Sequence, residues 1–226
     1  MGVKLTLRNK FVLALSASSM VAILLLFISS KMAGNGNYYY LITNLILAWI
    51  PLFISYGLVV NLRKNDWDNW LSVILSILWL IFLPNAFYMI TDFIHIQDVS
   101  SSHVVYFAVS FASVIFNGVM VGFVSLYLIH EELKKRVENI KAGILIGLVL
   151  LICSLGVYLG RDLRWNSWDV VTNPTGILID FTQRLTTPSD WGSILGTSGA
   201  LFIFLSSIYL LSFSAIRYIS ERENKI

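Results

Sequence analysis

The sequence contains 226 residues, of which 57% are hydrophobic and 13% are charged, and its mean hydropathy is +0.75. A soluble domain of this length is about one quarter charged because its surface faces water, so the composition excludes an ordinary soluble globule and predicts a membrane protein. The net charge of +3 does not indicate nucleic-acid binding, since the Lys and Arg residues stand at the ends of apolar stretches and form no basic face.

Six apolar stretches are long enough to cross a bilayer as helices, because a hydrocarbon core about 30 Å thick requires roughly 20 helical residues. The predicted spans are residues 11–30, 41–60, 70–90, 104–129, 143–160 and 194–216. The first follows a basic segment, as in a signal peptide, but it is longer than the usual apolar core, so we expect an uncleaved span. The sequence therefore predicts an all-α fold class, with one domain over residues 1–226 that forms a bundle of six transmembrane helices.

Basic residues flank these spans unequally. If the N-terminus lies in the cytoplasm, 12 of the 16 Lys and Arg residues fall in segments on the cytoplasmic side. The positive-inside rule associates such an excess with cytoplasmic loops. We therefore predict that both termini are cytoplasmic, and that the third and fifth spans end on the opposite, outer face.

The cytoplasmic end of the fourth span carries a charged run over residues 130–136 that begins with His130. Pairs such as Glu131–Lys135 and Glu132–Arg136 have the spacing of ion pairs on a helix surface. We interpret this run as a solvated helix end that sets orientation, and not as a functional site.

The outer end of the third span carries a first group of polar residues. On an α-helix each residue advances about 100°, so Asn85, Tyr88, Asp92 and His95 fall within roughly 80° of one another, and Asp98 lies about 120° from Asp92. A polar stripe in an apolar span is expected to face protein or water, because lipid cannot satisfy its hydrogen bonds.

Pro84 directly precedes this stripe and removes one helical hydrogen bond, which permits a kink that opens the end of the span into a cavity. Asp92, His95 and Asp98 are residue types suited to a proton relay, to general acid–base catalysis or to metal ligation. The alternative is that the amide and phenol of the stripe only bind neighbouring helices, with the carboxylate and imidazole in water at the interface.

A second polar group follows the fifth span directly, with two Arg, two Asp, two Trp and one Asn over residues 161–169. Arg161 and Arg164 are candidates for binding a phosphate or carboxylate, with Trp165 and Asn166 beside the substrate and Asp169 as an acid, a base or a ligand. The alternative is an interfacial anchor of Trp and Arg, in which Asn or Ser caps a short helix that has an Asp in its first turn.

The same connection between the fifth and sixth spans alternates apolar and polar residues over 176–185. This pattern predicts a short helix in the membrane interface, with Ile177, Leu178 and Phe181 towards lipid. Pro188 and Ser189 are expected to begin the last span.

Both polar groups emerge on the predicted outer face, and together they define a candidate site. Its candidate catalytic residues are Asp92, His95 and Asp169, and its candidate substrate-binding residues are Arg161, Arg164, Asn85, Tyr88, Trp165 and Asn166. Asp92, His95 and Asp98 are also candidate ligands for a divalent metal, although no HExxH, Cys-cluster or phosphate-loop motif is present in the sequence. The cofactor is therefore unknown at this point, and a divalent metal is compatible with the residue types.

The two groups stand in the motifs Leu83-Pro84-Asn85-Ala86-x-Tyr88-x-x-Thr91-Asp92-x-x-His95 and Gly160-Arg161-x-x-Arg164-Trp165-Asn166-Ser167-Trp168-Asp169. On these motifs the chain resembles domain-of-unknown-function family number 1361, a bacterial group of predicted integral membrane proteins, from about the second span to the sixth. At Phe87 the family pattern more often has Pro, which implies a milder kink here. The resemblance implies a multi-pass protein of the bacterial plasma membrane and brings no reaction, substrate or cofactor.

Three functional hypotheses fit these observations. The first is a membrane-embedded hydrolase or transferase that acts on an anionic, lipid-linked or envelope substrate, with membrane lipid as its partner. The second is a small transporter, which is disfavoured by the scarcity of ionisable residues at mid-depth in the other spans. The third is a scaffold or partner-binding subunit that uses small-residue helix contacts such as Gly118-x-x-x-Gly122 or Gly143-x-x-x-Gly147. The oligomeric state is not predicted.

Overall fold

The structure, a computed structural model, describes residues 7–32, 38–99 and 104–223 of the chain. Within these ranges the secondary structure consists of helices joined by turns and short loops, and no strand is present. The predicted all-α fold class is therefore confirmed.

Nine α-helices and two 3₁₀-helices follow one another in the described ranges. The α-helices are α1 (Leu7–Met32), α2 (Tyr40–Asn61), α3 (Trp70–Phe82), α4 (Pro84–Tyr88), α5 (Val104–Lys134), α6 (Asn139–Asp162), α7 (Asp169–Thr172), α8 (Pro174–Thr186) and α9 (Trp191–Glu223). The 3₁₀-helices are Met89–Asp98, which continues α4, and Pro188–Asp190, which precedes α9.

Six helical segments are long and apolar enough to cross a membrane, as the sequence predicts. They are Lys10–Met32, Tyr40–Asn61, Trp70–Gln97, Val104–Lys134, Asn139–Asp162 and Pro188–Ala215. The third segment combines α3, α4 and most of the following 3₁₀-helix, so it extends beyond the predicted end at residue 90. These segments make the chain a multi-pass membrane protein, while its orientation in the membrane stays a prediction.

We refer to the two ends of the bundle by one residue each. The Asp92 end holds the end of α1 at Met32 and the start of α2 at Tyr40. The His130 end holds the end of α2 at Asn61 and the last turns of α5.

The central helix of the bundle is α5, which packs against α1, α2, α4, α6 and the 3₁₀-helix after α4. Trp79 of α3 donates its indole N–H to Ser125 Oγ of α5 at 2.8 Å, and Ser125 donates to the carbonyl oxygen of Pro51 in α2 at 2.9 Å. Ser125 is fully buried. These two hydrogen bonds join three helices at a depth where lipid offers no polar partner.

The short helix α4 lies between glycine-containing faces of α5 and α6. It begins at Pro84, whose missing N–H interrupts the third span after α3. A Cβ added at Gly122 of α5 would lie 2.8 Å from Ala86 Cβ, and one added at Gly156 of α6 would lie 2.8 Å from Pro84 Cγ. Both distances are too short for real side chains, so the absence of side chains at these glycines allows the close approach of α4.

Two further glycines extend these contacts towards the Asp92 end. A Cβ at Gly160 would lie 3.3 Å from the Tyr88 ring, and one at Gly118 would overlap the Met89 side chain. The expected contact through Gly118 and Gly122 is thus present inside the bundle. At Gly143 and Gly147, by contrast, an added Cβ meets no described atom within 4 Å.

The His130 end of α5 is more buried than predicted. His130 and Glu132 are only 5% and 6% exposed, because α9 covers this turn and the Tyr209 hydroxyl lies 2.8 Å from His130 Nδ1. The predicted Glu132–Arg136 pair is present at 3.6 Å. The prediction of a Glu131–Lys135 pair is wrong, because the Glu131 carboxylate pairs with the Lys134 ammonium at 2.8 Å instead.

The connection between the fifth and sixth spans contains the helix α8, where the sequence predicts a short helix over residues 176–185. Asn173 accepts a hydrogen bond from the Gly176 backbone N–H at 3.1 Å and so caps its N-terminus. The last span begins near Pro188, as expected, and Asp190 of its first turn pairs with Arg184 of α8 at 3.1 Å. The location of α8 in the membrane interface stays a prediction.

We expect Gly156→Ala to lower the stability of the protein, because its methyl group overlaps the rigid ring of Pro84. Overpacking of this kind costs about 1–3 kcal/mol. Gly143→Ala on the same helix is the matched control, since open space surrounds its Cβ. Thermal unfolding in detergent measures both variants, and an equal melting temperature for the two would contradict the described packing of α4 against α6.

Candidate functional site

A cavity of about 720 Å³ opens between α2, the second half of the third span, α6 and the loop that follows α6. We call it the Asp92 cavity. Seven of the nine predicted catalytic and substrate-binding residues line it, from both polar groups of the sequence. They are Asn85, Tyr88, Asp92, His95, Arg161, Trp165 and Asn166.

The 3₁₀ conformation of residues Met89–Asp98 brings Asp92 and His95 onto the same face. A 3₁₀-helix has three residues per turn, so residues three apart lie above one another. An α-helix would separate the same two side chains by about 60°. The sequence predicts that these two side chains lie near one another, and the 3₁₀ geometry brings them closer together than an α-helix would.

α2 supplies a partner for each of these two side chains. Asn44 donates from Nδ2 to Asp92 Oδ2 at 2.9 Å, and the Tyr40 ring stands edge-on to the His95 ring, with 5.5 Å between centroids. Tyr40 and Asn44 are four residues apart and therefore share one face of α2. The two pairs lie side by side because α2 runs antiparallel to the 3₁₀-helix.

Asp92 lies in the cavity wall with only 1% of its surface exposed. Its carboxylate interacts electrostatically with both His95 and Arg161. A buried carboxylate requires hydrogen bonds or opposite charge to offset its desolvation, and Asn44 and Arg161 provide these. A carboxylate, an imidazole and a guanidinium therefore line a single cavity.

One serine joins the two polar groups. Asn85 of α4 donates from Nδ2 to Ser167 Oγ at 2.9 Å, and Ser167 donates to the carbonyl oxygen of Ile81 in the last turn of α3 at 3.0 Å. These bonds attach the loop after α6 to the third span at its interruption. The sequence allows Ser167 as the cap of a short helix, whereas in the structure its hydroxyl forms hydrogen bonds with Asn85 and Ile81.

The loop after α6 is also held by its own side chains. Trp165 donates its indole N–H to Asp180 of α8 at 3.0 Å. Asp169 lies in the first turn of α7, as in the alternative interpretation of an interfacial anchor, and accepts from the Asn166 backbone N–H at 2.7 Å. These contacts orient Trp165 and Asn166 where they line the cavity.

Two predicted site residues do not line the Asp92 cavity. Arg164 is exposed and is the one non-glycine residue in the described ranges with a positive φ, at 60°. This backbone conformation turns the chain between Arg161 and Trp165. The Asp169 carboxylate is engaged by Asn166, so the structure places it as a support for the loop.

The apolar side chains of α8 are not arranged as the sequence predicts. Ile177 and Phe181 line the cavity, which corrects the expectation that they face lipid. Leu178, Ile179 and Leu185 are exposed apolar residues of this helix, at 65%, 59% and 46%. The α8 helix therefore contributes an apolar wall to the site.

The predicted metal set is assembled only in part. Asp92 and His95 lie together, but no group of three or more His, Cys, Asp or Glu side chains suited to a metal occurs among the described residues. The side chain of Asp98 falls outside the described ones. A divalent ion held by this pair would need oxygen atoms of water or substrate to complete its coordination.

The sequence model of the DUF1361 family, which is described as a protein of unknown function, matches residues 43–211. The chain belongs to this family. The matched region holds both polar groups and confirms the resemblance stated above, although Tyr40 lies just before it. No curated protein and no solved structure matches the chain significantly.

We expect Ser167→Ala to loosen the loop after α6, because it leaves the Asn85 amide and the Ile81 carbonyl without their partner. A buried polar group that loses its hydrogen bond costs about 1–3 kcal/mol. Ser113→Ala is a matched control, since this exposed serine binds only its own helix. Limited proteolysis should cleave the loop faster in Ser167→Ala alone, and equal cleavage of both variants would contradict this role.

Proposed function

We propose that the protein is a membrane-embedded enzyme, a hydrolase or transferase, that acts on an anionic, lipid-linked substrate in the Asp92 cavity. The observation that carries this proposal is the combination of Asp92, His95 and Arg161 in one cavity with a largely apolar wall. A volume of about 720 Å³ falls within the range of small-molecule sites, roughly 300–1,000 Å³.

The lining of the cavity is divided between polar and apolar residues, as an amphiphilic substrate requires. The apolar part comes from α2, α3, α6 and α8 and includes Leu47, Leu80, Ile152, Leu155, Ile177 and Phe181. The polar part gathers around Asp92 and Arg161. A substrate with a hydrocarbon chain and an anionic head group matches both parts, because each half then finds partners of its own polarity.

Each polar residue has a role in this reaction. Arg161 holds the anionic group through charge-assisted hydrogen bonds. Asp92 accepts the proton of the attacking water or hydroxyl, and His95 donates a proton to the leaving oxygen. Asn44 and Tyr40 fix the orientation of the carboxylate and the imidazole.

The proposed location is the outer leaflet of a bacterial plasma membrane. The excess of Lys and Arg in the predicted cytoplasmic segments supports this orientation. The family resemblance supports the bacterial membrane. Membrane lipid is then both the solvent of the protein and the source of its substrate.

The test is turnover of a panel of anionic lipids by the purified protein. An isoprenyl diphosphate, phosphatidic acid and phosphatidylglycerol are incubated with the protein, and products are identified by mass spectrometry. We expect one lipid to react, and Asp92→Asn or His95→Gln to slow the reaction about 100-fold or more without lowering the melting temperature.

The matched pair Arg161→Gln and Arg164→Gln tests the anion-binding role, because only Arg161 lines the cavity. Arg161→Gln should raise KM, whereas Arg164→Gln should leave both KM and kcat close to those of the wild type. Full activity in Asp92→Asn, or an equal effect of the two arginine variants, would contradict the proposal.

A further inference from the structure

A second cavity of about 610 Å³ lies at the His130 end, between α5, α6 and α9. We call it the His130 groove. It is separate from the Asp92 cavity, and its lining includes His130, Glu131 and Lys134. These residues belong to the charged run that the sequence predicts to be a solvated helix end.

The groove has the length of one bilayer leaflet. Its lining on α6 runs from Asn139, the first residue of the helix, to Leu150. The eleven residue-to-residue steps between these two positions rise about 16 Å along the helix, which is roughly half of a 30 Å hydrocarbon core. The groove therefore extends from the membrane surface to mid-membrane, as an acyl chain does.

The inner part of the groove is mostly apolar and open on the α6 side. An added Cβ at Gly143 or Gly147 meets no described atom within 4 Å, so these glycines widen the groove and are not helix contacts within the chain. Leu150 and Leu210 add apolar side chains, and Ser206 of α9 adds one hydroxyl. This part offers mainly hydrocarbon contacts and no charge.

The mouth of the groove carries one charge of each sign. Glu131 and Lys134 are only partly exposed, with 38% and 29% of their side chains accessible, and they bind each other at 2.8 Å. α6 begins beside them without a side-chain cap, and the carboxylate of its N-cap residue Glu138 pairs with Lys141 at 3.3 Å. Because no side chain caps the helix, its first backbone N–H groups and the positive end of its dipole add to the attraction for an anion. Lys134 and the helix start thus favour a phosphate, and Glu131 favours a cation.

We propose that the His130 groove binds one phospholipid with a phosphate and a primary ammonium in its head group, of the phosphatidylethanolamine type. The phosphate contacts Lys134 and the start of α6, the ammonium contacts Glu131, and one acyl chain lies along Gly143 and Gly147. A phosphatidylcholine head group cannot donate hydrogen bonds to Glu131, and phosphatidylglycerol brings no ammonium that could replace Lys134 as the partner of this carboxylate.

The experiment is native mass spectrometry of the full chain in detergent with equal amounts of phosphatidylethanolamine, phosphatidylcholine and phosphatidylglycerol. Wild-type protein should retain one phosphatidylethanolamine roughly fivefold better than phosphatidylglycerol, the effect expected of one charge near a membrane surface. It should also retain phosphatidylethanolamine better than phosphatidylcholine, whose head group has the same charges but no N–H donor. Equal retention of the three lipids, or preference for phosphatidylglycerol, would overturn the proposal.

Two variants locate the bound lipid. Gly147→Leu fills the groove and should abolish the preference, whereas Gly57→Leu, at a glycine of α2 that also has open space around it, should retain it. Glu131→Gln should remove the preference for phosphatidylethanolamine over phosphatidylglycerol while the melting temperature stays unchanged. Retention of the preference in both Gly147→Leu and Glu131→Gln would overturn the assignment to this groove.

A protein occupant gives a different result. If the groove holds a second copy of the chain, the spectrum of lipid-free wild type shows a dimer that Gly147→Leu dissociates. That outcome also overturns the proposal.

Discussion

The close approach of α4 to two glycine-containing helix faces is the constraint on which the rest of the structure depends. Pro84 ends the regular helix of the third span, and Gly122 and Gly156 let the short helix that follows lie directly against α5 and α6. Because this helix is fixed on both sides, the 3₁₀-helix after it continues along α5 and α2 in a defined direction. Asp92 and His95 owe their position to that direction.

The candidate site is assembled by contacts between residues that are distant in the sequence. Asn44 of α2 donates a hydrogen bond to Asp92, and Asn85 donates one to Ser167, which lies 82 residues later in the sequence. Each contact pairs a neutral polar side chain with a group that lies in an apolar span, where an unsatisfied hydrogen bond is costly. Arg161 lines the same cavity as these residues, so the contacts that remove this cost belong to the site of the proposed chemistry.

The sequence predicts much of this architecture, for identifiable physical reasons. The transmembrane spans can be predicted because the apolar stretches are long enough to cross a bilayer. Asp92 and His95 are polar, so they are expected to face protein or water and not lipid. Asn44 was not predicted, because a single amide in a span has many partners on other helices. Arg161 and Arg164 could not be distinguished, since the backbone turn at Arg164, with its φ of 60°, arises from packing of the loop. Burial of the fourth span's charged end likewise depends on α9, which is remote in sequence.

The most direct test of the account is whether Asp92 and Arg161 act on the same bound molecule. Binding of a dodecylphosphonate would be followed by the fluorescence of Trp165, which lines the cavity, in wild type, Asp92→Asn, Arg161→Gln and the double variant. The account predicts that the two effects on binding free energy are non-additive by more than about 0.5 kcal/mol, as expected for residues that share a ligand. Strictly additive effects, or binding that neither variant changes, would contradict it.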